Sequence, residues 1–128
     1  MNERGSIVRI GGKEYEMLLT TRATKDIAKR YGGIGNLGDK LLNNENFEDA
    51  LNEIIYLITL LCNQSILIHN LENPTDNKEL LKEEDVELLT SPYDLGNFKD
   101  AILEALYKGA KREVEGEDIA PSKNTQVE

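Results

Sequence analysis

Residues 47–71 read FEDALNEIIYLITLLCNQSILIHNL, a long apolar-rich stretch that constrains the fold more than any other part of the chain. Its apolar residues recur at the helical period, Asn46 is suited to cap the start, and Pro74 stops the helix soon after its end. One stripe holds Phe47, Ala50, Leu51, Ile54, Ile58, Leu61, Ser65 and Ile68. A second stripe, nearly opposite, begins only in the later half with Tyr56, Leu60 and Leu67. Up to Glu53 that second face is polar. A helix that is apolar on two sides must be covered on two sides. Two arrangements satisfy this: a central position within one domain, or contact with another copy.

The flanking segments supply the cover. Residues 6–20 predict a β-hairpin, in which SIVRI and EYEMLLT flank the turn signal Gly11-Gly12-Lys13. Tyr15, Met17 and Leu19 fall on one face of the second strand, with Glu14 and Glu16 on the other. Two strands are marginal alone, so the hairpin must lie on helices or pair with another copy. A first helix is expected over 22–31, capped by Thr20 or Thr21 and stopped by Gly32-Gly33. A short helix over 36–42, the long helix over 47–71 and another short one over 82–89 follow. Ser91-Pro92 then opens a last helix over 92–111. The expected fold is mainly α (α+β): an N-terminal β-hairpin packed on a bundle of four to five helices. Residues 1–112 form a single domain in this reading, and the acidic, apolar-poor stretch 113–128 is expected to be a disordered tail.

Charge separates along the chain. Residues 1–44 carry eight basic and five acidic groups, whereas residues 45–88 carry eleven acids and two bases, within a net charge of -9. The basic front and acidic middle can compensate within one chain or meet between copies. Arg22, Lys25 and Lys29 line one side of the first helix, and with Arg30 they are the basic cluster. The strong overall negative charge opposes a nucleic-acid partner. The opening MNERGSIVRI lacks the apolar stretch of a signal peptide, and the run Ile54 to Cys62 is too short to cross a bilayer. A cytoplasmic protein without a membrane partner is the expectation.

No arrangement for catalysis stands out. His69 is the only histidine and Cys62 the only cysteine. They are two helical turns apart, roughly 10 Å of rise, too far for one to activate the other. They are too few for a zinc tetrad, and Glu83-Glu84-Asp85-Val86-Glu87 lacks the glycine and terminal glutamate of a calcium loop. Gly11-Gly12-Lys13 lacks the spacing of a phosphate loop, and Gly32-Gly33-Ile34-Gly35 lacks the preceding strand of a dinucleotide site. No catalytic residue, cofactor or metal ligand is assigned. The candidate functional residues are protein-binding ones: Tyr56, Leu60 and Leu67 on the second stripe, and Arg22, Lys25 and Lys29 on the basic helix.

The stretches IGGKEYEMLLTTRATKDIAKRYGG, IIYLITLLCNQSILIHN and LLTSPYDLGNFKDAILEALYKG, in this order, resemble the tail assembly chaperones of long-tailed phages and prophages of Gram-positive bacteria. The resemblance runs over roughly residues 7–112 and rests on the order of elements: hairpin, basic helix after a double threonine, long apolar helix, Ser-Pro helix. It implies a non-enzymatic protein of the host cytoplasm, absent from the finished virion. Such a protein binds the tape-measure protein before the tail tube polymerises, with the tail tube protein as a further candidate partner. A homo-oligomer is also expected. Two other functions compete: a structural tail or head–tail component, and a small DNA-contacting regulator using the basic helix 22–30.

Overall fold

The computed structural model describes residues 5–119. Strands β1 (Gly5–Ile10) and β2 (Lys13–Leu18) are followed by helices α1 (Thr21–Tyr31), α2 (Ile34–Leu42), α3 (Phe47–Glu72), α4 (Glu83–Leu89) and α5 (Pro92–Ile119). The fold is mainly helical with a two-stranded antiparallel hairpin at its start, as the sequence leads one to expect.

The hairpin closes through Gly11 and Gly12, whose φ values of +60° and +82° place both in the left-handed region. Only glycine takes that pair of conformations cheaply, and the resulting turn matches the twist of the strands. The turn fixes the register, with Ile10 opposite Lys13, Val8 opposite Tyr15 and Ser6 opposite Met17. Ser6, Val8, Ile10 and Met17 therefore share the buried face. β2 lies on α3 and β1 lies on α5, so the hairpin is one layer over a pair of long helices. The Ser6 hydroxyl donates to the carbonyl of Ala101 at 2.8 Å, tying β1 to α5. Near the other end of this contact, Gly109 of α5 sits so close to Leu19 that a Cβ would lie 2.6 Å from the leucine Cβ.

Helix ends follow local chemistry. The Thr20 hydroxyl accepts from the Ala23 amide at 3.0 Å and opens α1, and Gly32 closes it at φ +85° with its amide bonded to Ala28. Asn46 caps α3 by accepting from the Asp49 amide. At the start of α5 the Ser91 hydroxyl accepts from the Asp94 amide while the Asp94 carboxylate accepts from the Ser91 amide.

Three expectations need correction. The short helix α2 begins at Ile34 rather than Asn36, because the Leu37 amide already donates to the Gly33 carbonyl at 3.3 Å, while the Asn36 side chain donates from Nδ2 back to the Tyr31 carbonyl at 2.7 Å. Phe47 is not a core residue: it is 70 % exposed, because the first turn of α3 lies ahead of the packed body. The last helix does not fade after Lys111. It continues to Ile119, through a stretch rich in glutamate, a good helix former. A tail from 113 is thus helical through 119, and residues 120–128 lie outside the described residues.

The centre of α3 is the core of the molecule. Ile54, Ile55, Leu57, Ile58, Leu61 and Cys62 are buried, an arc far wider than one stripe. β2, α1, α2, α4 and α5 all contact this helix. By length and mean hydropathy the whole of α3 could cross a bilayer, which the shorter run Ile54 to Cys62 could not. In this structure its central turns are covered by protein instead.

Candidate protein-binding surface

The second apolar stripe of α3 divides between two environments. Tyr56 and Leu60 are half-buried against the core. Leu67, farther along, lines an open groove of about 460 Å³. Ile68 and Leu71 of α3, Thr20 and Arg22 from the start of α1, and Pro74 line it too. Leu71 is 81 % exposed. Under the groove, the Thr20 hydroxyl donates to the Gln64 side-chain oxygen at 2.5 Å, and the Gln64 side-chain Nε2 donates to the Leu60 carbonyl at 3.0 Å. The first bond ties the start of α1 to α3, and the second, within α3, holds the glutamine in place for it, so the wall is preformed.

Arg22 stands at the rim of this groove, and Lys25 and Lys29 follow on the same side of α1, one and two turns on. All three are exposed and none has an acidic partner among the described residues. The structure thus brings Leu67 and Arg22 together, adds Lys25 and Lys29 as a ridge, and sends Tyr56 and Leu60 inward.

Tyr56 belongs to a different cluster, which sequence reading missed. Glu53 is 6 % exposed in the wall of α3. Arg30 grips it with two donors, Nε to Oε1 at 3.1 Å and Nη2 to Oε2 at 3.4 Å, and the Tyr31 hydroxyl donates to Oε1. The guanidinium also lies 4.0 Å from the centre of the Tyr56 ring, a cation–π contact. The Tyr31 and Tyr56 rings meet edge to face at 6.3 Å. Burial and then the Glu53 hydrogen bond raise the Tyr31 phenol well above its ordinary pKa, and burial followed by Asp26 raises that of Tyr56. The signal was present: one acid amid apolar neighbours, Leu51, Ile54 and Ile55, demands a base.

Two asparagines of α3 do work that no sequence pattern announced. The Asn63 side chain donates to the Leu81 carbonyl and accepts from the Leu81 amide, at 2.9 and 2.7 Å. Asn70 does the same with Lys78, at 3.0 and 2.8 Å. The connector between α3 and α4 is thereby strapped along α3. His69 Nε2 adds bonds to the carbonyl and carboxylate of Asp76, at 2.9 and 3.2 Å. The histidine is thus engaged with the connector. Burial pushes the Cys62 thiol up to about 12, which makes it a poor nucleophile at neutral pH. Among the described residues no group of three or more His, Cys, Asp or Glu could hold a metal ion.

Comparison of the chain with protein-family models, with curated proteins and with solved structures finds no match. The functional reading therefore rests on the residues and surfaces described above.

Proposed function

We propose that this protein is a non-enzymatic tail assembly chaperone, binding the tape-measure protein in the bacterial host cytoplasm and keeping it soluble while the tail tube forms. The observation that carries the reading is the open end of α3. Leu67, Ile68 and Leu71 are left as an apolar groove by the chain's own fold, on a preformed wall. A tape-measure protein is long and largely helical, and a groove of this kind accepts the apolar face of an amphipathic helix. The net charge of -9 would keep the complex dispersed. The order of hairpin, basic helix, long apolar helix and Ser-Pro helix, which carries the family resemblance, adds support. The role requires no catalytic residue and no cofactor, and it is compatible with self-association and with contact to the tail tube protein.

Co-expression with its cognate tape-measure protein tests the proposal. The client is expected in the soluble fraction and to co-purify with the chain. A client that stays insoluble at equal expression refutes client holding. Mass spectrometry of purified particles separates chaperone from component: the chain should be missing, and stoichiometric presence would make it a structural part of the tail.

A further inference from the structure

The groove at the end of α3 and the ridge on α1 form one continuous surface, and its chemistry specifies the occupant. The apolar floor comes from Leu67, Ile68 and Leu71, spaced so that two adjacent turns of one helix present side chains to the same opening. Arg22 stands at the edge of that floor, and Lys25 and Lys29 continue the line away from it. The chain holds 24 acids against 15 bases, yet among the described residues these three cations stand in a row with no ion pair to any acid. The one acid on α1, Asp26, follows Arg22 by four residues and precedes Lys29 by three, so it borders the row, but it forms no ion pair with any of the three. By contrast, Arg9, Arg30 and Lys40 of the same basic front pair with Glu14, Glu53 and Asp49.

We propose that this surface binds an acidic amphipathic helix of the client, its leucine-type side chains seated on Leu67, Ile68 and Leu71 and its flanking carboxylates along Arg22, Lys25 and Lys29. This assignment rests on the client-binding reading and sharpens it, naming the face used and the charge of the segment taken. Charge complementarity at the rim governs association rate and partner choice, while the apolar contacts govern how long the complex lasts. The two parts of the surface therefore have separable signatures.

The test uses the full chain and two synthetic amphipathic helical peptides of about 20 residues, long enough to hold helical structure. Both carry leucines on one face; one has glutamates on the flanks and the other lysines. Binding is followed by fluorescence anisotropy. The glutamate peptide is expected to bind at least about tenfold more tightly than the lysine peptide, with affinity falling as salt rises. The combined reversal Arg22→Glu, Lys25→Glu, Lys29→Glu should abolish that preference, and its exposed positions leave the circular dichroism spectrum unchanged. Leu71→Asp, also at an exposed position, should weaken the glutamate peptide by about tenfold through faster dissociation. Equal binding of the two peptides, or a reversal without effect, overturns the proposal. So does a fall in light-scattering mass on reversal, which would make a second copy the occupant, or ridge-dependent binding of a short DNA duplex. Co-expression of the reversal variant with the tape-measure protein distinguishes the levels. If the wild-type chain solubilises the client and the variant does so equally well, client holding stands and this surface is not its site.

Discussion

Replacing Arg30 by methionine removes the guanidinium from Glu53 while keeping most of the aliphatic stem. The carboxylate is then left in a site where its side chain is 8 % accessible, with the Tyr31 hydroxyl as its remaining donor in the cluster. Breaking a fully buried pair costs about 3–5 kcal/mol, because the surviving charge is uncompensated. Here the Arg30 side chain is 40 % accessible, so water can enter the vacated position. The discounted expectation is a loss of about 2–3 kcal/mol, which includes the contact over the Tyr56 ring. Glu53→Leu alone should cost less, about 1–2 kcal/mol, since Arg30 can turn to solvent and the main orphan is the Tyr31 hydroxyl. The informative construction is the double variant Arg30→Met, Glu53→Leu. It contains no buried charge, so its loss should fall short of the sum of the two singles by about 1–2 kcal/mol. Urea unfolding at neutral pH, followed by circular dichroism, measures all three against wild type. If the double variant loses the full sum, within about 0.5 kcal/mol, the pair is not coupled and the reasoning from burial fails.

Four further outcomes are expected. The Cys62 thiol is raised in the fold to about 12 from an ordinary 9.0, so the stability tied to its neutral form is intact below pH 9 and is lost as pH climbs towards 12; melting temperature should fall more steeply across that window in wild type than in Cys62→Ala, and parallel curves would contradict it. Asn63→Ala removes both bonds to Leu81 and should cost about 1–2 kcal/mol with faster hydrogen exchange at that amide, whereas Asn70→Ala, in a more exposed place, should cost less than about 1 kcal/mol. Gly109→Ala gains roughly 1 kcal/mol of helix propensity but drives a methyl into Leu19, so a net loss of about 1–2 kcal/mol is expected by thermal melting, and a rise in melting temperature would show that α5 and the hairpin can part cheaply. Leu60→Asp should unfold the domain or cost several kcal/mol, while Leu71→Asp should leave stability within about 0.5 kcal/mol, both read by urea titration.

What was legible in the sequence was mostly local. Thr20, Gly32, Asn46 and the pair Ser91-Pro92 act over a few residues, and each ends or begins a helix where its chemistry requires. The double glycine likewise set the hairpin register through one turn. The apolar period located α3, but it under-read the core: Ile55, Leu57 and Cys62 lie off the main stripe and are buried because helices and strands meet α3 from several directions. The same gap applies to the surface. Leu67 and Tyr56 share a stripe on paper, yet one lines a groove and the other meets Arg30, a residue 26 positions away. Which of two chemically similar positions stays open depends on where α1 crosses α3, and that crossing is held by Thr20 and Gln64, a pairing with no local signature. Beyond Lys111 the sequence offers few apolar anchors, yet α5 continues to Ile119. Propensity alone can carry a helix onward from a packed stretch.

The two asparagine straps behave as a ruler. Asn63 and Asn70 are seven residues apart on a helix, a rise of about 10.5 Å. Leu81 and Lys78 are three residues apart in the connector, and extended chain covers about 10 Å in that interval. The two scales coincide, and both straps hold main-chain atoms. Side chains along the connector are thus free to vary, while its spacing is not. Substitution at Lys78 or Glu79 by anything that keeps the Lys78 main-chain N–H leaves the ruler intact. One residue inserted between 78 and 81 puts the graduations out of step, so only one of the two clamps can close.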